Sequence, residues 1–137
     1  MRSLLARLMS DPRYRTLASR AAFLLYAAVI VGGSIPGARA EVGELASGLT
    51  LHLTTYSVIA LLLFCGAQGS SSHKACKSFL LIAAMGAVDE CVQSLFPYRG
   101  ASLVDWFVDL NAGLFTTAIL WLIWPKDEIG EKSTSLS

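Results

Sequence analysis

The sequence predicts an all-α fold: an integral membrane four-helix bundle with both chain ends in the cytoplasm. Three observations predict it. The 137 residues are 54% hydrophobic and 15% charged, with a mean hydropathy of +0.56. That leaves too few polar side chains to clothe a soluble domain of this length. The apolar residues gather in four runs, three of them of about the 20 residues that cross a ~30 Å hydrocarbon core. The basic residues alternate between connections as the positive-inside rule requires. A net charge of +1 argues against nucleic acid as a partner, which needs a basic face.

The first run, "AAFLLYAAVIVGGSI" at 21–35, is closed by Pro36-Gly37 and is short for a span. The second covers 47–66, the third 78–96 up to Pro97, and the fourth 103–124 up to Pro125. None alternates with a period of two, so strands are not expected. Backbone groups in lipid must be satisfied within the segment, which makes each run a helix. The chain therefore divides into a basic cytoplasmic segment 1–20, a membrane domain 21–125 and a polar cytoplasmic tail 126–137. The stretch "AQGSSSHKACK" at 67–77 reads as a cytoplasmic turn with His73 in solvent. Cys65, Cys76 and Cys91 have neither disulfide nor zinc spacing and read as free thiols. A competing reading makes residues 1–40 a secretory signal cleaved after "ARA" at 38–40. The long stretch before the apolar run and the Arg39 within that triplet favour a retained helix.

Orientation follows from the 11 Lys and Arg residues. Arg2, Arg7, Arg13, Arg15 and Arg20 precede the first run, Lys74 and Lys77 lie between the second and third, and Lys126 and Lys132 follow the fourth. Only Arg39 and Arg99 occupy the other two connections. Trp121 and Trp124 then fall at the inner interface and Trp106 near the outer one, as aromatic belts do.

With that orientation the polar residues gather on one side. His52 lies in the outer half of the second helix and Tyr56 near mid-membrane. Asp89, Glu90 and Gln93 fall just outside the centre of the third, and Asp105 and Asp109 in the outer half of the fourth. Arg99 sits in the outer turn between them. The pairs His52/Tyr56, Asp89/Gln93 and Asp105/Asp109 each share a helix face at i, i+4. Asp89 and Glu90 are neighbours, so they diverge by about 100° and reach different partners. A charge at mid-helix costs roughly 2.5–3.5 kcal/mol on insertion scales. The acids must therefore face one another, water or cations, and the nearby bases are Arg99 and His52.

The residues His52-x-x-x-Tyr56, Asp89-Glu90-x-x-Gln93 and Pro97-x-Arg99-x-x-Ser102-x-x-Asp105-x-x-x-Asp109 resemble the VanZ-like family of small bacterial membrane proteins. So does the end of the first run, Ser34-Ile35-Pro36-Gly37. The likeness covers roughly residues 23–120. Gly48 and Leu49 stand where the family usually has an Asp-Lys pair, and Ala112 where it usually has Gly. The resemblance implies a multi-pass protein of the bacterial inner membrane. The namesake is associated with teicoplanin resistance, but no agreed biochemical activity comes with the family, and resistance is not expected here.

The candidate functional residues are His52, Tyr56, Asp89, Glu90, Gln93, Arg99, Ser102, Asp105 and Asp109. The leading expectation is an outward pocket that binds or modifies an envelope component such as a lipid-linked headgroup. Arg99 would hold a phosphate or carboxylate, and the acids would hold amines, hydroxyls or a divalent ion. An enzyme would use Glu90 as general acid or base with His52 as partner and Asp105 orienting. No nucleophile motif, HExxH or phosphate loop accompanies that set. No cofactor is expected, a divalent metal on His52, Glu90 and Asp105 being the alternative. The structural alternative is an assembly partner in an envelope complex. There Arg99 with Asp105 and Asp109, and His52 with Glu90, lock helices together.

Overall fold

The computed structural model describes residues 11–38 and 47–125. These form four helices: α1 (Pro12–Ser34), α2 (Gly48–Gly66), α3 (Ser71–Ser94) and α4 (Leu103–Ile123). No strand occurs among the described residues. Expectations resting on Arg2, Arg7, Arg39, Ala40, Lys126 and Lys132, and on the tail 126–137, lie outside the described residues.

Each helix starts where a short polar side chain can satisfy a free backbone N–H. Asp11 caps α1, accepting from Arg13 N at 2.8 Å, and Pro12 follows in the first turn, where its missing N–H costs nothing. This cap starts the helix well before the apolar run at Ala21, so the first helix has 23 residues and is not short. Ser47 caps α2 and accepts from Thr50 N at 3.2 Å. Ser70 caps α3 and accepts from His73 N at 3.3 Å. The stretch expected as a turn over 67–77 is therefore helical from Ser71 onward. Ser102 caps α4 and accepts from Asp105 N at 3.3 Å.

α1, α2 and α4 are long and apolar enough to cross a membrane. α3 has 24 residues but carries Lys74, Lys77, Asp89 and Glu90, and by composition it does not qualify. The structure gives the physical reason. Ser78, Ile82, Met85, Asp89 and Gln93 form a buried stripe along α3, while Leu80 and Val88 face outward. Lys74, Asp89, Glu90 and Gln93 are covered by neighbouring helices, whereas Lys77 and His73 stay exposed near the start of the helix. Leu24 on α1 is 71% exposed and Leu122 on α4 is 68% exposed. An exterior of this kind has lipid, not water, as its natural solvent. The three apolar helices make the chain a multi-pass membrane protein.

Consecutive helices run antiparallel: Gly66 at the end of α2 lies against Ser19 and Arg15 near the start of α1, and Trp121 near the end of α4 bonds Ser72 at the start of α3. The most extensive contacts are α3 with α4, α2 with α4 and α1 with α2. At one end Trp121 Nε1 donates to Ser72 Oγ at 2.9 Å and Trp124 packs edge-on against Phe64 at 5.0 Å. Lys74, expected in a loop, is buried here with its Nζ 4.4 Å from the Trp124 ring. At the other end the 95–102 turn closes on the C-terminus of α1, where Tyr98 donates to the Ser34 carbonyl. Close approach of α3 to α4 depends on small residues. A Cβ on Gly86 would lie 2.9 Å from Asp109 Oδ2, and one on Gly113 would lie 2.7 Å from Ile82 Cγ2.

Candidate polar pocket

The start of α2, the end of α3, the start of α4 and the end of α1 meet at the same end of the bundle. This brings together eight of the nine sequence-predicted residues through direct contacts or a shared cavity. His52 and Tyr56 lie one turn apart on α2, with rings parallel to within 2° and centroids 6.0 Å apart. Tyr56 OH donates to Asp89 Oδ2 at 3.1 Å, joining α2 to α3. His52 Nδ1 lies 2.9 Å from Asp109 Oδ1, joining α2 to α4. Since a carboxylate only accepts, this bond puts the imidazole proton on Nδ1. His52 Nε2 lies 3.9 Å from Asp105 Oδ2, beyond hydrogen-bond distance. The i, i+4 spacing of Asp105 and Asp109 therefore lets one helix face both nitrogens of one ring.

Asp89 and Glu90 do reach different neighbours. Asp89 is held by Tyr56, whereas Glu90 Oε2 accepts from the backbone N–H of Ser102 at 2.5 Å. Glu90 thus ties the end of α3 to the N-cap of α4, and Ser102 contributes its hydroxyl to that cap. The buried Glu90 Oε1 has no hydrogen-bond partner among the described residues. Neither does Asp109 Oδ2, nor either amide atom of Gln93, which is 3% exposed, lies one turn beyond Asp89 on α3 and lines no part of the cavity.

Arg99 behaves differently from the interhelical lock considered above. Its Nη1 donates to the Gly33 carbonyl of α1. It forms no ion pair with Asp105 or Asp109. Likewise His52 bonds Asp109 rather than Glu90.

A cavity of about 330 Å³ opens between α1 and α2. His52, Tyr56, Asp89 and Arg99 line its polar side, and Val29 and Leu51 contribute to an apolar side. Glu90, Ser102, Asp105 and Asp109 do not line it. They form a second group joined to the pocket through His52.

Sequence reasoning missed three residues that shape this region. Tyr26 OH donates to Met85 O at 2.9 Å and ties α1 to α3. Trp106 Nε1 donates to Ala83 O at 3.0 Å and packs beside Gly86. Gly33 supplies the carbonyl for Arg99, and a Cβ there would sit 2.9 Å from Nη1. The only signal in the sequence is the Gly32-Gly33 pair interrupting an apolar run.

No family model, no curated protein and no solved structure matches the chain.

Proposed function

We propose that the protein is a VanZ-like protein of the bacterial inner membrane, spanning it four times with both ends in the cytoplasm. Its pocket opens to the outer side and binds the anionic headgroup of an amphiphilic envelope component. The observation that carries this reading is the two-sided cavity between α1 and α2. One side offers the Arg99 guanidinium with His52, Tyr56 and Asp89; the other offers apolar side chains such as Val29 and Leu51. That lining matches a ligand with a charged head and an apolar tail. Arg99 has no carboxylate partner among the described residues, which leaves its charge for a phosphate or carboxylate. The imbalance of basic residues between the two ends of the bundle supports the orientation. Arg13, Arg15 and Arg20 on α1 lie at the same end as Lys74 and Lys77 on α3.

The test is native mass spectrometry of the full chain extracted in mild detergent. A phosphate- or carboxylate-bearing adduct on the unaltered protein, lost from an Arg99→Ala variant that still elutes as a folded species, supports the reading. An adduct that survives Arg99→Ala, or no adduct from any membrane extract, contradicts it.

The His52–Asp109 bond favours a second reading, in which the polar group locks helices for assembly within an envelope complex. In that case Asp109→Asn lowers thermal stability, and no extract component shifts the melting temperature.

A further inference from the structure

We propose that His52, Glu90 and Asp105 form a binding site for one divalent first-row transition-metal ion such as Zn²⁺ or Mn²⁺. The site goes beyond the pocket reading and does not rest on it, since of its three residues only His52 lines the pocket.

A ring nitrogen of His52 and one carboxylate oxygen each from Glu90 and Asp105 lie within 4.8 Å of one another. The three donors come from α2, α3 and α4, so the site is assembled by the tertiary fold and not by a local turn. One imidazole with two carboxylates is a donor set suited to Zn²⁺ or Mn²⁺. Metal–ligand bonds of about 2.0–2.2 Å in tetrahedral geometry put two donors of one ion roughly 3.3–3.6 Å apart. The 3.9 Å between His52 Nε2 and Asp105 Oδ2 exceeds that separation by only a few tenths of an ångström and is too long for a hydrogen bond, so a small inward shift of the half-buried Asp105 carboxylate seats an ion between them. Glu90 would contribute its unpaired Oε1, with Oε2 kept on the Ser102 N–H.

Two further features point to a ligand. Glu90 is only 8% exposed, yet its Oε1 has no hydrogen-bond partner among the described residues. An unpaired buried carboxylate oxygen is costly, and a cation would satisfy it. The supporting contacts also have the arrangement that orients metal ligands. The fully buried Asp109 accepts from His52 Nδ1, which leaves the Nε2 lone pair directed at the site. The Ser102 N–H fixes the other oxygen of Glu90. A divalent ion would balance the two negative charges of Glu90 and Asp105 against a neutral imidazole.

The experiment uses the full chain in detergent, stripped with chelator and then titrated with ZnCl₂ by calorimetry. CoCl₂ serves as a spectroscopic stand-in through its visible d–d absorption. One equivalent of Zn²⁺ is expected, and Co²⁺ bands that ZnCl₂ displaces. Asp105→Asn and Glu90→Gln should each weaken Zn²⁺ binding at least about tenfold, and Asp109→Asn by roughly 10–100-fold. Arg99→Ala should leave it unchanged while removing any pocket adduct, so the two readings fail separately. Elution profile and far-ultraviolet circular dichroism check folding. If Glu90→Gln does not fold, the partly exposed Asp105→Asn carries the comparison alone. The proposal is overturned by uptake no greater than the detergent blank, by full affinity in Asp105→Asn, or by loss of binding in His73→Ala.

Discussion

Tyr56 shows what a single residue does at the centre of this bundle. Its ring is 1% exposed and its hydroxyl is the hydrogen-bond donor to Asp89 Oδ2. Removing that hydroxyl strands a buried carboxylate oxygen, for which the penalty is about 1–3 kcal/mol. Tyr56→Phe should therefore lower the melting temperature in detergent, while Asn111→Ala should be near neutral. Asn111 is exposed and donates to Phe107 O on its own helix. Equal melting temperatures for the two variants would contradict the assigned bond. Much at this scale was legible in the sequence. The 3.6-residue period separated Asp89 from Glu90 and put His52 with Tyr56. The partner of Arg99 was not legible, because it is a backbone carbonyl, which no side-chain pattern marks. His52 chose Asp109 over Glu90 for a similar reason: the depth of both acids could be read, but the rotation of α3 about its own axis could not.

At the scale of the helices, capping decided what hydropathy alone misjudged. Asp11-Pro12 starts α1 ahead of its apolar run, and Ser70 starts α3 inside a stretch rich in serine and lysine. Both signals are present in the sequence, but they lie outside the apolar runs, which do not mark where a helix begins. α3 carries the opposite lesson. Its polar stripe of Ser78, Asp89 and Gln93 is hidden in the bundle, so its composition does not show which face meets the neighbouring helices. Helix contact also makes specific demands. Gly66 of α2 packs against α1, and a Cβ there would meet the Ser19 hydroxyl, lie 3.0 Å from Ser19 N and lie 3.1 Å from Arg15 O. Backbone atoms cannot rotate aside, so Gly66→Ala should cost roughly 1–3 kcal/mol through overpacking. Chemical denaturation or a thermal melt in detergent reads that loss directly. An unchanged melt would show that α1 does not pack there.

At the scale of the molecule, the all-helical fold followed from four apolar runs without a period of two. The division of the polar residues into a pocket and an adjoining group did not. That division depends on which helices are neighbours, and α2 contacts α4 more extensively than α3. No linear pattern fixes that preference, because apolar faces in lipid are nearly interchangeable and small residues and hydrogen bonds decide the packing. The functional account stands on the polar end facing outward. Gly100 and Ala101 lie exposed in the turn at that end, and Gln68 and Gly69 in the turn at the opposite end. In a background with Cys65, Cys76 and Cys91 replaced, single Gly100→Cys and Gln68→Cys variants report orientation through a membrane-impermeant maleimide on intact cells. The outward pocket predicts that Gly100→Cys is labelled at once and Gln68→Cys only after permeabilisation. Labelling of Gln68→Cys alone in intact cells would invert the molecule and contradict the account.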